Sequence, residues 1–156
     1  MSRHSFFMRR AIELSIVNIE KGGGPFGAVI VKDNKILAEA ANSVTLENDP
    51  TGHAEVNAIR KAAKTLNNFD LSGCIIYSSC EPCPMCLGAI YWAHLDALYY
   101  GNTKEDAANI DFDDQFIYQE LDLKKEDRKL KSSQLLPKEA LEAFNKWQNT
   151  SDKTEY

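Results

Sequence analysis

Residues 74–100 read CIIYSSCEPCPMCLGAIYWAHLDALYY. Cys74 to Ser79 is a short apolar run of buried-strand type. Glu81-Pro82 ends it, and the residues from Cys83 to Ala93 predict a helix with proline just inside its start. Ala97 to Tyr100 predicts a further strand. Strand, helix and strand within so short a span predict a βαβ unit with its two strands parallel.

Upstream, Phe26 to Val31 and Ile36 to Ala41 predict two strands joined at Asp33-Asn34, a hairpin. Asn42 to Gly52 is polar and predicts a loop. Residues 53–66 predict a helix with an apolar stripe through Val56, Ile59, Ala63 and Leu66. Residues 2–20 predict another, carrying Phe6, Phe7, Ala11, Leu14, Ile16, Val17 and Ile19 at roughly helical spacing. Gly22, Gly23, Gly24 and Pro25 stop it. A hairpin followed by a βαβ unit predicts an α/β fold, a mixed sheet with helices on both faces. Beyond Gly101 the pattern weakens. Asp111 to Tyr118 is acidic and aromatic, residues 119–131 are a charged linker, and Pro137 to Gln148 predicts a last helix.

The 156 residues are 44% hydrophobic, enough for the core of one compact domain spanning 1–156. The formal net charge of -5 argues against a phosphate backbone as main partner, since nucleic-acid binding draws on clustered Lys and Arg. No stretch approaches the roughly 20 apolar residues of a membrane-spanning helix. The N-terminus lacks the apolar region and cleavage site of a secretory signal, so a cytoplasmic protein is expected. All the cysteines, Cys74, Cys80, Cys83 and Cys86, fall together. A disulfide framework spreads its cysteines along the chain, so this grouping points to metal or redox chemistry.

Two short motifs carry that chemistry: His53-Ala54-Glu55 and Pro82-Cys83-Pro84-Met85-Cys86. Cys83 and Cys86 are three apart on a helix and share a face. In its first turn, exposed N–H groups and the helix dipole favour thiolates. Two thiolates and an imidazole suit zinc, whose catalytic sites keep three protein ligands and an open position. His53 starts a second helix and completes the set if the two helix N-termini converge. Glu55 then leans over the open position, where it takes and delivers protons. H-x-E followed by P-C-x-x-C is the pattern of the zinc deaminases. The rival reading is a closed structural site of His53, Cys80, Cys83 and Cys86. Cys80 precedes the helix and lies along the strand end, which disfavours it. Cys74 reads as a buried strand residue, and His4 and His94 have no partners at ligand spacing.

PFGAVIV, NDPTGHAEVNAIR, SSCEPCPMCLGAIYWA and FDD, all within residues 25–114, resemble the bacterial guanine deaminases of the cytidine deaminase superfamily. The likeness extends over nearly the whole chain, including the final Glu-Tyr. The tRNA adenosine deaminases share the zinc motifs, so the discriminating residues lie elsewhere. The resemblance implies a three-layer α/β/α cytidine-deaminase-like fold with a mixed five-stranded sheet and one zinc per subunit on His53, Cys83 and Cys86. It implies Glu55 and Asp114 as the catalytic carboxylates. It implies Phe26 and Trp92 packed on the purine, Asn42 hydrogen-bonded to its polar edge, and the Ala54 backbone N–H as a further contact. It implies a homodimer in which the C-terminal segment, 119–156, is exchanged and Tyr156 reaches an active site. As bare sequence, Phe26 and Trp92 read as core, Asp114 as an acidic loop or helix start, and Tyr156 as a terminal tail. Gly52 departs from the pattern, where a small residue such as alanine is expected, and its freedom would loosen the helix start slightly.

The reaction implied is hydrolysis of free guanine to xanthine and ammonia. The alternatives are a tRNA adenosine deaminase, a cytosine or cytidine deaminase, and a zinc-stabilised scaffold without catalysis. A tRNA enzyme needs a basic surface and a flipped base. The one cluster, Lys124, Lys125, Arg128, Lys129 and Lys131, is diluted by Asp122, Glu126 and Asp127. Glu55 argues against a scaffold, since a closed site has no use for a carboxylate beside the metal. The small-molecule partner is thus a nucleobase, with neither membrane nor nucleic acid expected.

Overall fold

The computed structural model describes residues 2–156, which divide into two compact units, a first ending at Tyr118 and a second, Gln119–Tyr156. The first opens with helix α1 (Arg3–Glu20), capped by the Ser2 side chain. Strands β1 (Gly27–Lys32) and β2 (Lys35–Ala41) form the expected hairpin. At its tip Asp33 and Asn34 both take positive φ, 48° and 64°, the conformation of a tight two-residue turn that Asp and Asn tolerate. A single-turn helix α2 (Val44–Glu47) interrupts the stretch read as loop. Helix α3 (Ala54–Leu66), strand β3 (Cys74–Cys80), helix α4 (Pro84–Trp92) and strand β4 (Ala97–Asn102) follow, and β3 and β4 pair parallel across α4.

The sheet runs β2-β1-β3-β4. Alternation along β1 divides the core into two. Ala28 and Ile30 face the side of α3 and α4, where they meet Ala54, Ala58, Ala62, Leu71, Ile76 and Ile90. Val29 and Val31 face α1, where they meet Phe7, Ala11 and Tyr77. A run buried on both faces is what a central strand requires. Each fully buried Ile or Val contributes about 1.5–3 kcal/mol. The expected three layers are therefore present.

Two expectations are corrected. Among the described residues the sheet has four strands and not five. After Asn102, Thr103 and Asp106 form a reciprocal capping box that starts helix α5 (Lys104–Ala108), and KEDAA offers no β-branched or aromatic run to continue a sheet. On α3 the deepest residues are Ala54, Ala58 and Ala62, with Ile59, Ala63 and Leu66 at the margin. Small side chains let the helix approach the sheet closely, so the stripe of large residues marks its edge and not its centre.

Helix α6 (Gln115–Asp122) follows Asp114. In the second unit, the expected linker folds back on the end of α6. Arg128 donates from Nε to the Glu120 carbonyl at 2.9 Å, and Lys129 N–H donates to the Glu120 carboxylate at 2.9 Å. A short 3-10 helix (Lys125–Asp127) and helix α7 (Pro137–Gln148) complete it, the latter where the sequence places it. Among the described residues no helix is long and apolar enough to cross a membrane.

Candidate active site

The register of the sheet brings several strand ends to one edge. Gly27 at the start of β1 pairs with Ala41 at the end of β2, and Cys80 at the end of β3 pairs with Asn102 at the end of β4. Helices α3 and α4 begin beside this edge. His53 occupies the N-cap of α3 and Cys83 that of α4, both with extended backbone, while Cys86 sits in the first turn of α4. Pro84 opens that helix, where its missing N–H costs nothing. The Cys83 sulfur accepts the Cys86 N–H at 3.5 Å, so the cap itself fixes the thiol.

His53 Nδ1 lies 3.4 Å from Cys86 Sγ and 3.5 Å from Cys83 Sγ. The three ligand atoms all lie within 4.8 Å of one another, close enough to share one metal ion. Hydrogen bonds, first from the Cys86 thiol and then from His53, hold Cys83 well below an ordinary thiol. The hydrogen bond to Cys83 raises His53 above the usual imidazole range, against its burial. Cys86 is pushed up by the neighbouring Cys83 and by burial. A dication that takes both sulfurs as thiolates resolves this competition, and two thiolates with one imidazole are a zinc donor set. The closed alternative is corrected: Cys80 stands outside the cluster, its thiol pushed up to about 12 by burial and donating to the Thr103 carbonyl at 3.7 Å.

Glu55, in the first turn of α3, is only 5% exposed and accepts a hydrogen bond from the Ser78 hydroxyl at 2.6 Å. It lines a cavity of about 540 Å³ together with Phe26, Asn42, His53, Cys83 and Asp114. Asn42 is buried, and its side-chain oxygen accepts the Val44 N–H at 3.1 Å. That leaves the amide NH2 as the group it offers a ligand. Asp114 Oδ1 is buried without a hydrogen-bond partner among the described residues, and burial raises its carboxyl above the usual range. A buried acceptor left open in a cavity wall fits a donor supplied from outside the chain.

Over residues 1–102 the chain matches the cytidine and deoxycytidylate deaminase zinc-binding region. The chain belongs to that family of zinc deaminases. It is 53% identical over 154 residues to the guanine deaminase of Bacillus subtilis, covering 98% of this chain and 99% of that protein. A crystal structure of guanine deaminase from the same organism superposes with a TM-score of 0.96 at 52% identity, over 100% of this chain and 99% of the other. A tRNA-specific adenosine deaminase of Buchnera aphidicola is 42% identical over 96 residues, 62% of this chain and 59% of that protein.

As the zinc centre of a deaminase, the cluster has its ligands where the sequence places them. Trp92 is 66% exposed and does not line the cavity. It ends a helix that begins at the metal ligands, and nine residues of helix carry it about 13 Å away. Tyr156 ends the second unit and is 75% exposed. Ala54 is fully buried directly after His53. Phe112 also lines the cavity, where it meets Phe26 edge-on. Gly52 also reads differently in place: a Cβ there would stand 2.7 Å from Ser43 Oγ and 3.1 Å from the Asp49 carbonyl. Its lack of a side chain lets the loop close on the helix start and does not loosen it.

Proposed function

We propose that the chain is a cytoplasmic, zinc-dependent deaminase that hydrolyses free guanine to xanthine and ammonia. The observation that carries this is the open, buried Oδ1 of Asp114 in the same cavity as Glu55, His53 and Cys83. Guanine presents its exocyclic amine and ring N1–H as adjacent donors, and a carboxylate is their natural acceptor. The Asn42 NH2 supplies a donor to the purine's acceptors. Phe26 and Phe112 form the flat apolar wall that a heteroaromatic ring needs.

When bound on His53, Cys83 and Cys86, zinc supplies a water made nucleophilic near neutral pH. Glu55 takes a proton as water adds to C2, and delivers it to the ring nitrogen beside C2. Glu55 then takes the proton of the new C2 hydroxyl, which becomes the carbonyl, and with Asp114 passes it to the amino group, so that the C2–amine bond breaks and ammonia leaves. Asp114 thus serves both in binding and in proton transfer. The full-length likeness to a guanine deaminase supports a free base as substrate over a base in tRNA, because the likeness to the tRNA enzyme covers only 62% of the chain.

The second unit, with Leu130, Leu135, Leu141 and Phe144 exposed, is the segment proposed to exchange between the subunits of a homodimer. In that assembly Tyr156, and with it Trp92, would reach a substrate only at a site completed by two chains. The test is to incubate the zinc-loaded protein with guanine and, separately, with unmodified tRNA. Xanthine and ammonia from the first with no inosine in the second is the expected result. Inosine in tRNA with guanine unchanged would overturn the guanine reading and leave the zinc centre standing.

A further inference from the structure

Ser78 interrupts an apolar row. On β3, Cys74 and Ile76 face the layer of α3 and α4 and pack in its core, and Ser78 is the next residue of that face. It is 1% exposed, pairs in register with Ala28 on one side and Tyr100 on the other, and does not line the cavity. An apolar residue of like volume would fill that position as well. Its hydroxyl points to one partner, Oε1 of Glu55, at 2.6 Å.

We infer that Ser78 is a positioning residue for Glu55, holding one carboxylate oxygen on the central sheet so that the other faces the reacting atoms. The inference rests on Glu55 being the proton carrier proposed above. A glutamate side chain has three rotatable bonds, and proton transfer demands hydrogen-bond reach in one geometry. Glu55 is fixed at its base by the first turn of α3. Nothing on α3 itself fixes the far end; the Ser78 hydroxyl does so from β3, which is paired on both sides and moves with the sheet. A charged acceptor and a short O–H donor form one of the stronger side-chain hydrogen bonds, so the oxygen that accepts it is held and the other is left for chemistry. Ser79, the next residue, faces the opposite way and accepts the Gly27 N–H at 3.0 Å, so it does not substitute for Ser78.

The test compares Ser78→Ala and Ser78→Thr with the parent protein, measuring zinc content, the Kd for xanthine, and kcat and KM for guanine. Ser78→Ala is expected to keep one zinc per chain and a Kd and KM within about twofold, while kcat falls about 10- to 100-fold, part of the range that general acid–base groups supply. Ser78→Thr, which keeps the hydroxyl, is expected to recover most of that kcat. An unchanged kcat in Ser78→Ala overturns the inference, as does loss of zinc or a rise in KM alone. A zinc-loaded, folded Ser78→Thr as slow as Ser78→Ala also overturns it. Glu55→Gln separates the two levels: full turnover there would remove the role of Glu55 itself, whereas full turnover in Ser78→Ala with an inactive Glu55→Gln removes only the positioning role.

Discussion

The rings of Phe26 and Phe112 meet edge to face in the cavity wall, 4.9 Å between centroids and 90° between planes. One stands just before β1 and the other eighty-six residues later, between α5 and α6, so the wall exists only in the folded chain. Such a pair keeps each ring upright and presents a flat surface to a purine. Phe112→Ala removes this support and the stacking area. KM for guanine is expected to rise about tenfold, equivalent to about 1.4 kcal/mol, with a smaller change in kcat. Steady-state kinetics read this directly, and a fall in kcat at constant KM would contradict it.

Glu55 and Cys83 line the same cavity and should fail in different ways. Glu55→Gln keeps the three ligands and loses the proposed proton carrier, so kcat is expected to fall about 10²–10⁴-fold with one zinc per chain retained. Cys83→Ala removes a ligand and the cap that its sulfur gives the Cys86 N–H. It is expected to lose both zinc and activity, and to melt at a lower temperature, because a metal that binds only the folded state stabilises it. Metal analysis and calorimetry of the two variants make the comparison.

Gly27 lies directly against the backbone of α1. A Cβ there would lie 2.8 Å from Ser15 N and 2.9 Å from Leu14 Cβ, besides striking the Ala11 carbonyl. Two of these neighbours are helix backbone and cannot swing aside. Gly27→Ala is expected to cost about 3 kcal/mol, the upper part of the usual range for overpacking. For a chain of this size that lowers the melting temperature by about 6–12 °C. A loss under one degree would show that α1 shifts freely.

Much of this was legible in the sequence, for identifiable reasons. The hairpin was marked by Asp33-Asn34, whose positive φ values few other residues accept, and the βαβ unit by apolar runs on either side of Pro84. The zinc ligands were legible because their spacing states the geometry: two cysteines three apart, and a histidine at another helix start. The fifth strand failed because the pattern after Gly101 carries capping signals in place of strand signals. The exposure of Trp92 was not legible, because a sequence window does not say how far a helix has travelled from its first turn. Phe112 was quoted as part of a motif whose weight fell on Asp114. Ser78 left one trace, a hydroxyl in an apolar row, and its meaning depends on Glu55 arriving from another element.

Arg10 joins α1 to β2 through a two-pronged bond to Glu39, 2.8 Å from Nε and 2.6 Å from Nη2. This bond, first among the causes, holds the Glu39 carboxyl below its usual range. A folded-state value below the unfolded one gives stability that is full above the unfolded value of 4.5 and is lost as pH falls through the folded value. Both side chains are partly in water, so solvent screening limits the contribution to about 1 kcal/mol or less. Glu39→Gln is therefore expected to melt about 2–4 °C below the parent at pH 7. The gap should close as the pH falls through the lowered Glu39 value, because the parent then loses the same bond. Melting curves across pH check it, and a gap that persists in acid would assign the loss to packing.

Asn18 is the least exposed polar residue of α1, at 4%, and its NH2 group donates to two carbonyls, those of Gly24 and Asn42, each at 2.8 Å. Both acceptors belong to residues of the cavity wall. The Gly24 carbonyl also receives the Phe26 N–H, and the Phe26 carbonyl receives the Asn42 N–H. One buried amide thus ties together the segment carrying Phe26 and the end of β2. Asn18→Ala leaves two carbonyls without this donor, at about 1–3 kcal/mol each where water does not enter. It is expected to lower stability by about 2–4 kcal/mol and to raise KM, while the zinc content stays at one. Asn18→Asp is the sharper test, being nearly the same in shape. At neutral pH it sets a carboxylate against two carbonyl oxygens, so it should be less stable than Asn18→Ala. The folded state then favours the protonated acid, whose O–H restores one of the two bonds, so its carboxyl is raised on folding. The penalty should accordingly be largest above that raised value and shrink as the pH falls through it, with the parent unchanged over the same interval. If Asn18→Asp matches the parent at pH 7, the two carbonyls have other donors and Asn18 does not hold the wall.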